Sequence, residues 1–378
     1  MAKGISVEVD NLARKVTKGC VGVEDLARKI KKGYIGVGGV ARPFFSSEKK
    51  VMRYGNATAL TRTATVAGAS AGNYALFGGG LKSKGTTYYN TVNAYDSNLV
   101  KTSPTTLSKS CTPTGGHTSD NKHALFAGGW ADSAYNTIDV YTENLTRISA
   151  DPLTNSTAPI NGNVGDYIVF AGGSKGALSG YFNNVDAYDN NLVKTTASNL
   201  NCSATSDAAS VGNYVLFGGG PTDYAVVTGY DVNLVKVSVT SLSRGRYDMF
   251  SGNVGKYAIF AGGQSKYYDS LSEVDVYDEN LTRTTPFTML LGRCRGVSAS
   301  LKGFMLCAGG TTDNSDEYVR NTVEVYDENL VKSQIDGLSQ ARMDLGSATV
   351  GDYILFAGGY HYSSSTNYNI VDVYQVFE

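Results

Sequence analysis

The sequence predicts an all-β protein in which a small N-terminal β-meander precedes a seven-bladed β-propeller. A glycine pair that follows an apolar run recurs seven times, at intervals of 43 to 49 residues. Units of this length with several short strands are typical of propeller blades. A separate repeat of 14 residues between positions 9 and 42 predicts the meander. We therefore expect two domains, an attachment module at residues 1–46 and the propeller at residues 47–378.

Composition supports this fold class. The chain of 378 residues has 44 glycines, seven prolines and 26 tyrosines, which favours strands and turns over helices. Its five cysteines show no C-x-x-C spacing, so neither a disulfide framework nor a zinc site is expected. Apolar runs are short, and the first residues do not resemble a signal peptide. We expect no cofactor, no membrane insertion and no secretory signal.

The N-terminal segment is basic. Residues 1–50 carry eleven Lys and Arg against five Asp and Glu, whereas the rest of the chain carries 22 against 29. Turn residues such as Gly19 and Gly33 separate short apolar-polar segments, which predicts up to six strands. The segment is either a solvated sheet whose lysines discourage aggregation, or a module that docks or forms homo-oligomers because it buries little surface alone. With few aromatic residues among its basic ones, it does not favour nucleic-acid binding.

The blade pattern is plainest in the fifth unit. Its strands are predicted at residues 248–253, 256–261, 273–277 and 281–285. The second strand ends at a glycine pair, as does its equivalent in every unit. The seven pairs are Gly79-Gly80, Gly128-Gly129, Gly172-Gly173, Gly219-Gly220, Gly262-Gly263, Gly309-Gly310 and Gly358-Gly359.

An apolar strand that ends in Gly-Gly, followed a dozen or more residues later by a tyrosine, resembles the kelch repeat over residues 57–374. The tryptophan of that repeat is missing, and leucines take nearby positions. The one tryptophan, Trp130, is predicted to lie in a loop. The leucines are Leu99, Leu145, Leu192, Leu234, Leu281 and Leu330.

A second resemblance concerns the basic segment. Its L-A-R-K-x-x-K-G-Y-I-G-V repeat is similar to repeats in tail and other structural proteins of phages that infect Gram-positive bacteria. The resemblance implies that other virion proteins bind this segment. It also implies localisation in the virion, or in the bacterial cytoplasm before assembly.

The two ends of the chain are predicted to close the ring together. The seventh unit has segments for three strands before Glu378 and lacks the fourth. Residues 49–53 precede residues 59–62 much as a fourth strand precedes the next blade elsewhere. We therefore predict that an N-terminal strand completes the seventh blade and removes an open sheet edge.

One face of the propeller is predicted to recognise a ligand. Loops between second and third strands share a face with the blade-to-blade connectors, and they vary along the chain. The turns of the opposite face repeat Gly-Asn, Gly-Asp or Gly-Lys, and D-x-N-L or a close variant. Aromatic rings among small polar residues make a recognition surface that also suits sugars, although several rings could simply cover blade edges. The candidates are Tyr88, Tyr89, Trp130, Tyr135, Tyr181, Phe182, Tyr224, Tyr267, Tyr268, Tyr318, Tyr360, Tyr362 and Tyr368.

Three arginines, Arg246, Arg293 and Arg342, occupy equivalent positions in the fifth, sixth and seventh units. Their guanidinium groups could converge on a carboxylate or phosphate and form an anion site. The alternative is that they are structural braces, for which Asp248 and Asp344 lie nearby in sequence.

Motifs for catalysis are missing. The sequence has three scattered histidines, no set of copper ligands such as a kelch-type copper oxidase needs, and no hydrolase, zinc-protease or phosphate-binding motif. The sequence leaves open a catalytic pair of carboxylates contributed by two distant blades. We expect a non-catalytic binding protein, either tail-associated or receptor-binding, for a cell-surface glycan or protein. The alternatives are a carbohydrate-active kelch enzyme, such as a sugar mutarotase or lyase, and a cytoplasmic protein-interaction scaffold.

Overall fold

The computed structural model describes residues 49–377, with gaps at 83–86, 175–179, 203–205, 222–223 and 313–317, together with six short strands within residues 1–48. Contacts divide the chain into two compact units, residues 1–52 with 375–378, and residues 53–374. In the part of the chain that the structure describes, no helix is long and apolar enough to cross a membrane.

The strands of the basic segment form three antiparallel hairpins, in which β1 pairs with β2, β3 with β4 and β5 with β6. Six strands are described, as the 14-residue repeat predicts. They are β1 (Ser6–Val9), β2 (Leu12–Lys15), β3 (Cys20–Val23), β4 (Leu26–Lys29), β5 (Lys32–Val37) and β6 (Val40–Ser46).

The larger unit is a seven-bladed β-propeller, because its described residues form seven four-stranded antiparallel sheets. The predicted fold class is thus confirmed. We name the strands of each blade A to D in spatial order, A being the strand that contacts the A strands of the neighbouring blades. The face with the B–C loops and the blade-to-blade connectors is called the loop face, and the opposite one the turn face.

The first three blades follow one another directly. Blade 1 consists of β8 (Ala67–Ala71), β9 (Tyr74–Gly78), β12 (Val92–Asp96) and β13 (Lys101–Thr102), and its B–C loop holds the hairpin of β10 (Leu81–Lys82) and β11 (Thr87–Tyr88). Blade 2 consists of β14 (Thr112–His117), β15 (His123–Trp130), β16 (Ile138–Thr142) and β17 (Arg147–Ser149). Blade 3 consists of β18 (Ala158–Val164), β19 (Tyr167–Ser174), β20 (Val185–Tyr188) and β21 (Lys194–Ala197).

The next three blades repeat the arrangement. Blade 4 consists of β22 (Asp207–Val211), β23 (Tyr214–Gly218), β24 (Val227–Asp231) and β25 (Lys236–Val237). Blade 5 consists of β26 (Phe250–Val254), β27 (Tyr257–Ala261), β28 (Val274–Tyr277) and β29 (Arg283–Thr284). Blade 6 consists of β30 (Val297–Leu301), β31 (Phe304–Ala308), β32 (Val323–Asp327) and β33 (Lys332–Ile335).

Blade 7 is built from both ends of the chain. Its strands are β34 (Gly346–Val350), β35 (Tyr353–Ala357), β38 (Val371–Phe377) and β7 (Lys50–Ala57), and its B–C loop holds β36 (Tyr360–His361) and β37 (Thr366–Asn367). The predicted closure by an N-terminal strand is confirmed, since β7 is strand D of this sheet.

The core lies between the blades. Strand B carries a buried phenylalanine, or Cys307 in blade 6, and strand C carries a buried tyrosine. In six blades these two rings meet edge to face, as in Phe260 and Tyr277, whose centroids are 6.0 Å apart. In blade 6, Phe287 of the connector stacks on Tyr326. Large rings in these positions bury the most apolar area per residue, which is why the pattern repeats.

The D-x-N-L turns contain an unusual backbone conformation. In blades 1 to 6 the leucine after the asparagine has φ between 59° and 65°, a left-handed conformation that costs a side-chain-bearing residue about 1 kcal/mol. In five of these six turns two backbone N–H groups donate to the aspartate that begins the turn, for example those of Asn98 and Val100 to Asp96, whereas blade 2 has Thr142 there. The leucine packs on the core between the blades, as Leu99 does. Packing and these hydrogen bonds together offset the strain.

Two local predictions were wrong. Trp130 is not in a loop, because it ends strand B of blade 2 and pairs with Thr112. Strand A of blade 5 begins at Phe250, not Asp248, since Asp248 has φ of 53° and cannot continue an extended strand.

Candidate binding site on the loop face

A buried polar side chain on strand C fixes the connector that crosses the loop face. In blade 2, the Asp139 carboxylate accepts hydrogen bonds from the backbone N–H and the hydroxyl of Ser108, both at 2.9 Å. Since buried carboxylates must be hydrogen-bonded, the connector is held in one place. Sequence analysis missed this set, whose signal is a polar residue directly after the first apolar residue of each strand C, two positions before the tyrosine. Its members are Asn93, Asp139, Asp186, Thr228, Asp275, Glu324 and Asp372.

In blades 5 and 7, the predicted arginines bind this same strand-C carboxylate. Arg246 donates to Asp275 and Arg342 donates to Asp372, each at 2.7 Å, and both arginines are completely buried. Each also donates to a strand-B carbonyl of its own blade. Burial lowers the pKa of Arg342 from its ordinary value, an effect that the charge of Asp372 opposes.

Arg293 of blade 6 is also fully buried and makes different contacts. Its guanidinium donates to the carbonyls of Gly309 at 2.5 Å and Thr322 at 3.1 Å, while Glu324 is 4.0 Å away. Burial lowers the pKa of Arg293. The structure therefore places each of the three arginines inside a separate blade, next to a carboxylate of that blade, and brings none of them to the protein surface.

The predicted aromatic residues divide by exposure. Tyr360 is only 3% exposed, because it packs with Val319 and Met343. Seven are partly buried, namely Tyr88, Tyr89, Trp130, Tyr135, Phe182, Tyr224 and Tyr368. Five are exposed, namely Tyr181, Tyr267, Tyr268, Tyr318 and Tyr362. Among the described residues, all the exposed rings of the loop face except Tyr181 thus lie on blades 5 to 7.

Other features of the loop face concentrate on the same three blades. Leu290 and Leu291, in the connector that enters blade 6, are exposed. Non-glycine residues with positive φ have the same distribution, since all those described on the loop face belong to blades 5 to 7. They are Asp248, Tyr268, Arg295, Asp344 and Ser365. Strained backbone of this kind occurs in tight turns and also at ligand-binding sites.

Three of the strained residues form an arc around the propeller axis. Asp248, Arg295 and Asp344 each lie two residues before strand A of blades 5, 6 and 7. The Arg295 N–H donates to the Asp248 carbonyl, and the Asp344 N–H donates to the Arg295 carbonyl. Asp344, a predicted partner of the arginine trio, forms its ion pair with Arg295 at 2.7 Å. Sequence analysis named Asp248 and Asp344 as neighbours of the arginine trio but did not connect them with Arg295, because equivalent positions of neighbouring blades meet only in the folded ring.

Aromatic rings and a further carboxylate border the arc. The rings of Tyr224 and Tyr247 are 5.9 Å apart. Burial raises the pKa of Tyr247 to about 12, and the neighbouring Asp248 and Tyr268 add to this rise. At the start of strand A in blade 4, Asp207 accepts hydrogen bonds from Ser206 and from the Met249 N–H. Burial raises the pKa of the Asp207 carboxyl to about 7, and the charge of the neighbouring aspartate in the arc adds to this.

This part of the loop face therefore presents flat aromatic surfaces beside rigid hydrogen-bonding groups, a combination suited to binding. A propeller is compatible with a binding or scaffold role. No family model matches the sequence, and no curated protein matches it significantly.

Proposed function

We propose that the protein is a non-catalytic binding protein of the kelch type, which recognises a glycan on a cell surface through its loop face. The observation that carries the proposal is the concentration of exposed tyrosines on blades 5 to 7. Tyrosine offers a flat apolar face and a hydroxyl at a small entropic cost, and its ring can stack on a sugar.

We further propose that the protein belongs to a phage tail and acts in host attachment. This rests on the similarity of the basic N-terminal repeats to those of phage structural proteins. In this proposal the N-terminal hairpins bind other virion proteins, and neither nucleic acid nor a membrane is a partner. The protein would be found in the virion and, before assembly, in the bacterial cytoplasm.

The contacts of the three arginines favour a binding function over a catalytic one. An enzymatic anion pocket requires guanidinium groups that reach a substrate. Arg246 and Arg342 already bind buried carboxylates, and Arg293 binds three backbone carbonyls. These contacts support a bracing role and leave recognition to the exposed rings.

The test uses the full chain, with a fluorescent label, on a glycan array and on Gram-positive cells. We expect selective binding to one group of related glycans and to cells that display it, with the glycan unchanged by mass spectrometry after long incubation. Turnover of a bound glycan would support the enzyme alternative instead. Binding to a purified intracellular protein, without binding to any glycan or cell, would support the scaffold alternative.

A further inference from the structure

The arc of Asp248, Arg295 and Asp344 is rigid. Its backbone hydrogen bonds, at 3.2 Å and 3.0 Å, cross the two seams between blades 5, 6 and 7. Two of its side chains are also fixed, since Arg295 contacts both carboxylate oxygens of Asp344, at 2.7 Å and 3.4 Å. Hydrogen-bonding groups held in this way lose little entropy when they bind a ligand.

The arc nevertheless remains open to a ligand. The side chains of Arg295 and Asp344 are 31% and 34% exposed, and Asp248 is exposed. A salt bridge at a partly exposed site contributes little to stability, so the ion pair does little to offset the positive φ at these three equivalent positions. Backbone strain of this kind occurs at ligand-binding sites.

The chemistry of the arc matches a sugar residue. Carboxylates accept hydrogen bonds and a guanidinium donates them, so the arc can satisfy hydroxyl groups that both donate and accept. Aromatic rings border the arc, namely those of Tyr224, Tyr247 and Tyr268. Their flat surfaces suit the C–H face of a sugar ring.

Charge decides which sugars fit. Asp207 lies beside the arc, and burial raises the pKa of its carboxyl to about 7. The arc itself carries two carboxylates against one guanidinium, so its net charge is negative. A phosphate or carboxylate on the ligand would be repelled.

We propose that this arc is the sugar-binding subsite of the loop face, and that it takes an uncharged saccharide residue in preference to a phosphorylated or acidic one. The inference rests on the proposed function and deepens it, because it names both the place of binding and the class of sugar.

The test measures binding of methyl glycosides of glucose, galactose, mannose and N-acetylglucosamine, with the 6-phosphate of each, by saturation-transfer NMR on the full chain. We compare the charge swap Arg295→Asp/Asp344→Arg with a matched swap on the turn face, Lys302→Asp/Asp352→Lys. That control pair is also half-exposed, with an N to O distance of 2.8 Å. Both swaps preserve an ion pair, so melting temperatures report any damage to the fold.

We expect the wild-type chain to bind at least one uncharged glycoside, and to bind its 6-phosphate at least tenfold more weakly. The arc swap should weaken binding of that glycoside at least tenfold, while the turn-face swap should not change it. If the arc swap unfolds the chain, Asp248→Asn provides the second test, with the same expected loss.

Three results would overturn the inference. They are binding of no glycoside, equal or tighter binding of the phosphorylated forms, and unchanged binding by a folded arc variant. Any of these, together with selective adhesion of the wild-type chain to cells, leaves the proposed function standing. A chain that binds neither glycoside nor glycan array nor cells fails the proposed function as well.

Discussion

Arg53 and Asp372, which are 319 positions apart in the sequence, form a salt bridge of 2.7 Å in blade 7. Arg53 belongs to strand D, from the N-terminal side of the propeller, and Asp372 belongs to strand C near its end. The same carboxylate accepts hydrogen bonds from Arg342 and Ser339. One buried aspartate thus joins the two ends of the ring to the connector that enters the last blade.

The first prediction concerns strand D of blade 7. Removal of residues 1–45 should leave a propeller with a cooperative thermal transition, because strand β7 is retained. Removal of residues 1–55 should lower the melting temperature markedly, since it deletes most of β7, exposes the edge of β38 and leaves the Asp372 carboxylate without Arg53. Differential scanning calorimetry of both truncations measures the effect, and equal melting temperatures would contradict the closure.

Replacing Asp372 tests the bridge itself. Asp372→Asn should destabilise the protein by about 3–5 kcal/mol, because it leaves two guanidinium groups without their carboxylate, one of them fully buried. The control is Asp352→Asn, which breaks a half-exposed ion pair with Lys302 and should cost less than about 1 kcal/mol. Urea denaturation curves give both free energies of unfolding. A similar loss for the two variants would show that the buried salt bridge contributes no more to stability than the partly exposed one.

If the three arginines are structural braces, replacing one should lower stability and leave ligand binding unchanged. Arg293→Lys keeps the charge but loses the forked contacts with Gly309 and Thr322, so we expect a loss of about 2 kcal/mol or more. Adhesion to cells should be unchanged at temperatures where the variant is folded. If adhesion falls while the melting temperature stays constant, Arg293 belongs to a ligand site and its bracing role is refuted.

Asp207 predicts how stability depends on pH. Burial raises its pKa to about 7 in the folded state, well above the value of about 3.9 for an unfolded chain. The folded state therefore holds this proton more tightly, so the resulting stabilisation is complete below about pH 4 and is lost as the pH rises to about 7. Asp207→Asn stays neutral, and its stability relative to the wild type should increase between pH 5 and pH 8. Denaturation midpoints measured at both values test this, and parallel pH profiles would count against it.

Much of the fold could be predicted from sequence because blades repeat. The Gly-Gly pairs and the D-x-N-L turns mark the ends of strands B and C, so the blade count and the closure by an N-terminal strand followed from spacing. Strand starts were less certain, since Asp248 reads as part of an extended segment and only the structure reveals its positive φ. Trp130 was misplaced because strand B of blade 2 continues past its glycine pair, as it also does in blade 3, whereas strand B ends before the pair in the other five blades.

The candidate site was predicted less completely. Sequence composition identified the variable face and most of its exposed rings, because loop tyrosines are easy to recognise. It could not separate exposed Tyr362 from buried Tyr360, since their exposure depends on packing against Val319 and Met343. The arc was missed for a related reason, because equivalent positions in neighbouring blades meet only after the ring has closed.

The most direct test of the account measures cell adhesion by a triple variant of the exposed rings on blades 5 to 7, Tyr267→Ala/Tyr318→Ala/Tyr362→Ala. Its control is Tyr181→Ala, which removes an exposed ring from blade 3 of the same face. We predict that the triple variant loses at least tenfold in affinity for cells, with its melting temperature within a few degrees of the wild type, and that the control binds normally. Normal adhesion by a folded triple variant would contradict recognition by this part of the loop face.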